Sequence, residues 1–228
     1  MLSIIIPTIN EEKNIGITIE KLIKIFSNKN IEIIIVDDQS TDNTINEINK
    51  YKGETNIKII FNKDPQGLGY ALLLGFKNAT EEYRMFLDAD LSIDEEDIIR
   101  LFEKKKYNEM IIGSRYLSYS EILNAPKIKV ILSKMLNLLI SKFFKLPIVD
   151  LSHSFRIIHK NVKLRSNSFT HPGFFWEITI NANIDGYKIS ELPIKFIERK
   201  YGVSKNKIIK MLGSVIKSIG NLKKIEKK

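Results

Sequence analysis

The sequence predicts an α/β fold built on a mostly parallel sheet. Three observations predict it. Short apolar runs alternate with amphipathic ones through the first half of the chain. Two of those runs, "LSIIIP" and "IEIIIVDD", are apolar at consecutive positions, as in strands covered on both faces. And strand after strand is followed by a polar cluster: "PTINEE", "DDQSTDNT", "NKDPQGLG", "DADLS" and "GSRY". Open sheets of this class take ligands beyond the carboxyl ends of their strands, so five such loops at one edge make one site.

The elements follow in order. Leu2–Pro7 reads as a buried strand, and Asn14–Phe26 as a helix with Ile15, Ile19, Leu22, Ile23 and Phe26 on one face. Ile31–Asp38 is the second strand. "STDNTINEINKY" opens the second helix, with Ser40 or Thr41 as its N-cap. Asn56–Asn62 is a strand, Gly67–Ala79 a helix, Tyr83–Asp90 a strand that ends on acids, and Asn108–Arg115 a fifth strand. Between the last two, Ser92 followed three residues on by Glu95 has the spacing of a capping box. Asp94, Glu95 and Glu96 then occupy the first helical turn, where the helix dipole favours acids, with Asp97 just beyond. The second half is less regular: a cationic, apolar helical stretch "APKIKVILSKMLNLLISKFFKLP", then "DLSHSFRIIHK", a helix "FFWEITINANIDG", a strand "YKISELPIKF", a turn "ERKYGVSK" and a C-terminal helix.

The 228 residues, 43% hydrophobic and 28% charged, suit one domain with a short appendage. There is no cysteine, which excludes disulfides and thiolate metal sites. "MLSIIIPTIN" lacks a basic leader region, Pro7 interrupts its apolar run, and no apolar stretch reaches the roughly 18–20 residues of a membrane span. The expectation is a cytoplasmic protein. Its charge of +9 is unevenly placed: Lys205–Lys228 holds eight lysines and one acid, and Lys127–Lys145 five lysines and no acid. Both stretches read as amphipathic helices suited to the anionic cytoplasmic face of a membrane, or as solvated faces packed on the domain. No nucleic-acid motif accompanies the charge.

"DAD" places Asp88 and Asp90 at positions i and i+2 past a buried strand. From one turn they can reach a single hard cation such as Mg²⁺ or Mn²⁺; the alternative is two solvated acids at a strand end. Asp37 and Asp38, ending another strand, can accept hydrogen bonds from a base or ribose, whereas Asp42 reads as turn or helix-start chemistry. Gly67 and Gly69 permit a tight turn and a close approach, but not in a dinucleotide fingerprint. Arg115 and Arg156 suit phosphate recognition, and Arg199, Lys200 and Lys205 form a basic loop. His153, His159 and His171 are not at metal-ligand spacings and read as structural or surface residues.

Taken in order, "SIIIPTINEEKNI", "IVDDQSTDNT", "PQGLGYALLLGF", "FLDADLS", "GSRY", "DLSHSFR" and "GYKISELPIKFIERKYGVSK" resemble family 2 glycosyltransferases of the GT-A fold. They are most similar to the dolichol-phosphate mannosyltransferase and polyprenyl-phosphate sugar transferase branch. The resemblance runs from Leu2 to about Lys205. It implies a GT-A domain over 1–204, with a nucleotide-sugar half of about 1–115 and an acceptor half of about 116–204, followed by a basic helix over 205–228. It implies that Pro7, Thr8, Asn10, Glu11, Asp37, Asp38, Gly67, Asp88 and Ala89 surround a nucleotide sugar. Asp88 and Asp90 would hold Mg²⁺ or Mn²⁺ at the diphosphate. Arg115, Arg199 and Lys205 would lie near the phosphates and the acceptor, with Asp150, Ser152, Arg156 and Lys134 on the acceptor side. Glu177 is the candidate should a carboxylate base be needed. The chain departs from the family pattern at Ile9, Gln39, Asn43, Ser92 and Ser154, where relatives usually carry an aromatic, two glycines, a glutamine and a glycine.

The implied reaction is inverting transfer of a hexose, with GDP-mannose the favoured donor and a UDP-hexose possible, to a polyprenyl monophosphate. The enzyme would lie peripherally on the cytoplasmic membrane face, with room for a small membrane subunit as partner. An acceptor hydroxyl on a sugar or protein is the second reading, and a non-catalytic nucleotide-sugar-binding or membrane scaffold the third.

Overall fold

The computed structural model describes residues 1–198 and Gly220. Arg199, Lys200, Lys205 and the basic helix expected over 205–228 lie outside the described residues.

The first half alternates as the pattern dictates: β1 (Leu2–Thr8), α1 (Ile15–Ile25), β2 (Ile31–Asp37), α2 (Thr44–Asn49), β3 (Ile57–Phe61), α3 (Leu68–Asn78), β4 (Tyr83–Phe86) and α4 (Glu95–Lys104). A single 3₁₀ turn leads to β5 (Met110–Ser114). Then come β6 (Glu121–Leu123), α5 (Lys127–Phe143), β7 (Arg156–His159), α6 (Gly173–Ile184), β8 (Ile189–Pro193) and β9 (Lys195–Ile197).

One seven-stranded sheet runs in the order β3-β2-β1-β4-β7-β5-β8, and β6 pairs with β9 in a two-stranded sheet. β1 and β2 are parallel with Thr8 opposite Asp37, and β1 and β4 are parallel with Ile5 opposite Phe86. Ile4, Ile5, Ile6, Ile33, Ile34 and Ile35 are all fully buried, because apolar layers cover both faces of these strands. β7 alone runs antiparallel, between β4 and β5. Its N-terminal end therefore meets the same edge as the C-terminal ends of β4 and β5. That reversal carries the loop 150–155 to the edge where the acids of the "DAD" turn stand.

Three local expectations are corrected. The cap of α4 is Asp94, whose carboxylate accepts from the Glu96 backbone N–H; Ser92 is not the cap, because its hydroxyl is committed to Asp90. α2 begins later than expected, at Thr44 with Asn43 before it, since Ser40 turns back to Asp37. "YKISELPIKF" is two strands rather than one, split at the buried Ile194 between the two sheets.

Candidate active site

The acids come first. β4 ends at Phe86, so Leu87–Asp90 form a turn rather than strand. The turn is buttressed from α1, whose Thr18 hydroxyl donates to the Ala89 carbonyl at 2.6 Å. Leu91 holds a left-handed φ of 46°, which turns the chain sharply after Asp90. Asp88 and Asp90 both face one pocket. Asp88 Oδ2 accepts from the Ser154 hydroxyl at 2.7 Å, and Asp90 Oδ1 from the Ser92 hydroxyl at 2.6 Å.

Where the resemblance implies a nucleotide sugar, the carboxyl ends of β1 and β2 are knitted together. The Asp38 N–H donates to the Thr8 carbonyl at 2.8 Å. Asp37 is buried and accepts from the Ser40 N–H and hydroxyl, so it braces the loop. Asp38 accepts from the buried Asn62 amide at 2.6 Å. Asn10 takes a left-handed φ of 53° and accepts from the Thr41 N–H, and the Glu11 N–H donates to Thr44. Pro7 and Glu11 are half-buried and Ile9 is exposed beside them. Gln39 explains its own departure: it sits at φ 64° and its amide donates to the Lys63 carbonyl at 3.1 Å, a bond that offsets the left-handed conformation. Asn43 needs no such tolerance, its φ being −77°. At Gly67 (φ 107°) the close approach is made by the protein: a Cβ there would stand 3.0 Å from the Phe169 carbonyl oxygen. Gly67 thus serves the contact between α3 and the 169 loop.

Arg115, immediately after β5, lines the same pocket as the acids. Asp150, fully buried, receives Arg115 Nε at 2.8 Å, Nη2 at 2.9 Å and the backbone N–H at 3.0 Å. Burial works against the Arg115 cation, but the Asp150 charge outweighs it and holds the guanidinium pKa above the ordinary arginine value. Burial likewise opposes the Asp150 anion, and Arg115 overcomes it, holding the carboxyl at about 2. Ser152 hydrogen-bonds to Arg115 and to Asn137 of α5, tying the loop to that helix. The guanidinium also lies 5.7 Å from the Phe196 ring centroid of β9.

Three expected site residues stand elsewhere. Arg156 is fully buried, not at the acceptor: it donates to Thr179 and to the carbonyls of Leu151 and His153, over the Phe175 ring. Burial pushes its pKa down to about 9. Its task is to hold the loop 150–155 in shape. Glu177 is fully buried on α6 and accepts from the Ser166 hydroxyl and the Asn167 and Ser168 N–H groups, which spends it on a turn. It does not line the pocket. Lys134 is on the exposed side of α5; the lysine at the pocket is Lys129, 2.7 Å from Glu198.

The sequence reading undervalued two histidines. His159 sits at the surface near Glu82, in line with expectation. His153 and His171, however, line the same pocket as Asp88, Asp90 and Arg115. Their only signal in the sequence was that both lie near the ends of irregular stretches bordering buried elements. Burial first and then the Arg115 cation push His153 down to about 3, against the pull of Asp150; His171 is pushed down to about 4 by the same causes. His153 therefore stays neutral at ordinary pH. An unfolded chain protonates His153 below about pH 6.5, while the folded protein resists until about pH 3, so stability falls as pH drops through that window. Urea titrations should show about 2 kcal/mol of lost stability from this residue between pH 7 and pH 5. His153→Gln should flatten the profile by that amount; an unchanged slope would remove the assignment.

The acid pair's donor set suits a hard divalent cation: two carboxylates on one turn, both reaching one pocket. Among the described residues no group of three His, Asp or Glu side chains could complete a site alone. The remaining ligands would be substrate oxygens and water, as Mg²⁺ prefers.

Residues 3–164 match glycosyl transferase family 2. A dolichol-phosphate mannosyltransferase of Pyrococcus furiosus is 33% identical over 134 residues, which cover 58% of this chain but only 38% of that protein. A polyprenol monophosphomannose synthase of Mycolicibacterium smegmatis is 28% identical over 212 residues, 89% of this chain and 79% of the relative. Among solved structures, glucosyl-3-phosphoglycerate synthase from Mycobacterium tuberculosis, in complex with Mn²⁺, UDP and glucosyl-3-phosphoglycerate, superposes with a TM-score of 0.68 at 15% identity, over 97% of this chain and 78% of that one. Residues 1–349 of Staphylococcus aureus TarS do so with a TM-score of 0.58 at 22% identity, over 86% and 60%. At those identities the structures speak for the GT-A fold alone. The family match over most of the chain carries the remaining step: this protein belongs to glycosyl transferase family 2.

Proposed function

We propose that the protein transfers a hexose from a nucleoside diphosphate sugar, GDP-mannose foremost and a UDP-hexose next, to a polyprenyl monophosphate at the cytoplasmic membrane face. The observation that carries this reading is the composition of the pocket. Its lining combines Asp88 and Asp90 with the cations Arg115 and Lys129 and the apolar Ile122, Ala125, Val130 and Leu132. That is the chemistry of a phosphate bearing a hydrocarbon tail, set beside an acid pair that suits Mg²⁺ or Mn²⁺. The relatives' names point to the same acceptor class.

When bound, the cation would neutralise charge on the leaving diphosphate. Arg115, held in a fork by Asp150 through Nε and Nη2, would turn its remaining N–H donors to phosphate oxygens. An acceptor phosphate is already ionised and needs no strong general base. This agrees with a pocket whose carboxylates are Asp88, Asp90 and Glu198, the last paired with Lys129.

Helix α5 supports the membrane part. Its inward side mixes Asn137 and Ser141 with the buried Ile140, while Ile128, Ile131, Met135, Leu138, Leu139 and Phe143 are 43–63% exposed. These positions recur at intervals of three and four and form one face, flanked by lysines such as Lys134. No helix among the described residues is long and apolar enough to cross a membrane. Replacing both Ile131 and Met135 by glutamate should reduce binding to anionic phospholipid vesicles at least about tenfold, given roughly 1.5–3 kcal/mol per buried apolar side chain. Flotation at two salt concentrations reads this, and undiminished flotation would remove α5 from the interface.

The decisive assay offers radiolabelled GDP-mannose, UDP-glucose and UDP-GlcNAc with polyprenyl phosphate and Mn²⁺. Label in an organic-extractable product labile to mild acid supports the proposal. Label only in sugar or peptide acceptors would replace it with the hydroxyl-acceptor reading, and no donor binding would leave a scaffold.

A further inference from the structure

The two acids of the site are each gripped by a serine delivered from a different element. Ser92, 7% exposed, follows Asp90 on the same turn, and its backbone N–H and hydroxyl both donate to Asp90 Oδ1, at 3.2 and 2.6 Å. Ser154, 6% exposed, comes from the loop before β7, sixty-six positions away, and donates to Asp88 Oδ2 at 2.7 Å. That loop is itself held by several hydrogen bonds. Arg156 binds the carbonyls of Leu151 and His153, and Ser152 is tied to Asp150, Arg115 and Asn137. Among the described residues neither serine hydroxyl has another hydrogen bond. Both line it beside the acid it holds.

We infer that Ser92 and Ser154 are positioning residues for the cation site, each fixing one carboxylate oxygen and thereby the aim of Asp90 and Asp88. This inference rests on the acid-pair reading given above and deepens it. A hydroxyl donor to a carboxylate is a charge-assisted bond, short and directional. Hydrogen-bond partners of ligating carboxylates commonly change metal affinity by about 10–100-fold when removed. Ser154 has a second consequence. It links the acid of the nucleotide half to the loop that anchors Arg115, so the cation site and the phosphate-facing arginine share one support.

The test is Mn²⁺ binding by the full chain with GDP or UDP present to supply the diphosphate oxygens, read from water-proton relaxation enhancement and independent of turnover. Ser92→Ala and Ser154→Ala should each weaken Mn²⁺ binding about tenfold, with the thermal midpoint unchanged. Ser92→Thr and Ser154→Thr, which keep a hydroxyl, should bind nearer to the parent than the alanine variants do. A merely structural role would lower the midpoint and spare Mn²⁺ affinity in the protein that remains folded. Unaltered affinity in both alanine variants, with loss in Asp90→Asn, would overturn the inference and leave the acid pair standing. Absence of Mn²⁺ binding by the parent protein with either nucleotide present would remove the acid-pair reading and this inference together, while the lipid-acceptor assay would still judge the reaction itself.

Discussion

Asp90→Ala is expected to lower glycosyl transfer on the order of 10²- to 10³-fold, with the protein still folded. Several kcal/mol of charge stabilisation ride on a cation at a leaving phosphate, and about 1.4 kcal/mol corresponds to tenfold in rate. Asp90 is half-buried, and its bond to Ser92 lies at the pocket rather than in the core, so truncation leaves no large cavity. The loop keeps its support from Thr18 and from the left-handed turn at Leu91. Circular dichroism and the thermal midpoint should therefore match the parent protein, and raising Mn²⁺ should recover little activity. Full activity in the variant would refute a divalent cation held by this turn.

The sequence carried the frame of the sheet because its signals are local. Ile4–Ile6 and Ile33–Ile35 are buried on both faces, and that shows as consecutive β-branched residues. The placement of Asp88, Asp90 and Arg115 at one edge follows from strands that share a direction, and alternation predicts this. What was illegible depended on contacts between distant residues. That β7 is antiparallel is not written in "RIIH"; it comes from pairing with β4 and β5. Arg156 and Glu177 resemble site residues by type, yet each is consumed by buried carbonyls or amides that only the fold brings to it. Ser92 has the spacing of a cap, but a nearer carboxylate outcompetes the helix end, and Asp94 serves as cap in its place. His153 and Ser154 gained meaning only when the reversed strand brought their loop to the acids.

That loop also sets the largest expected effect on stability. Asp150→Ala should cost about 3–5 kcal/mol, because it removes one partner of a buried ion pair and leaves the other charged. Asp150 is fully buried and takes three bonds from Arg115, including the backbone N–H, plus one from Ser152. Arg115 is only slightly open to the pocket, with 15% of its side chain exposed, so water cannot replace the lost carboxylate fully. For a chain of this size that cost corresponds to a fall in thermal midpoint of roughly 10 °C. The sign of the pH dependence follows from the depressed carboxyl. Asp150 titrates near 2 in the folded protein and near 3.8 unfolded, so its contribution is complete above 3.8 and is lost as pH falls towards 2. The gap between parent and variant should accordingly be widest near neutrality and narrow in acid. Arg115→Met added to Asp150→Ala should restore part of the loss, since two apolar neighbours are tolerated where a lone cation is not. Because the same loop carries Ser154 to Asp88, the single variant should also lose transfer activity at temperatures where it remains folded, and the double variant should not recover it. An unchanged midpoint in Asp150→Ala would mean that Arg115 is held in place by its aromatic neighbours Tyr116 and Phe196 rather than by the carboxylate.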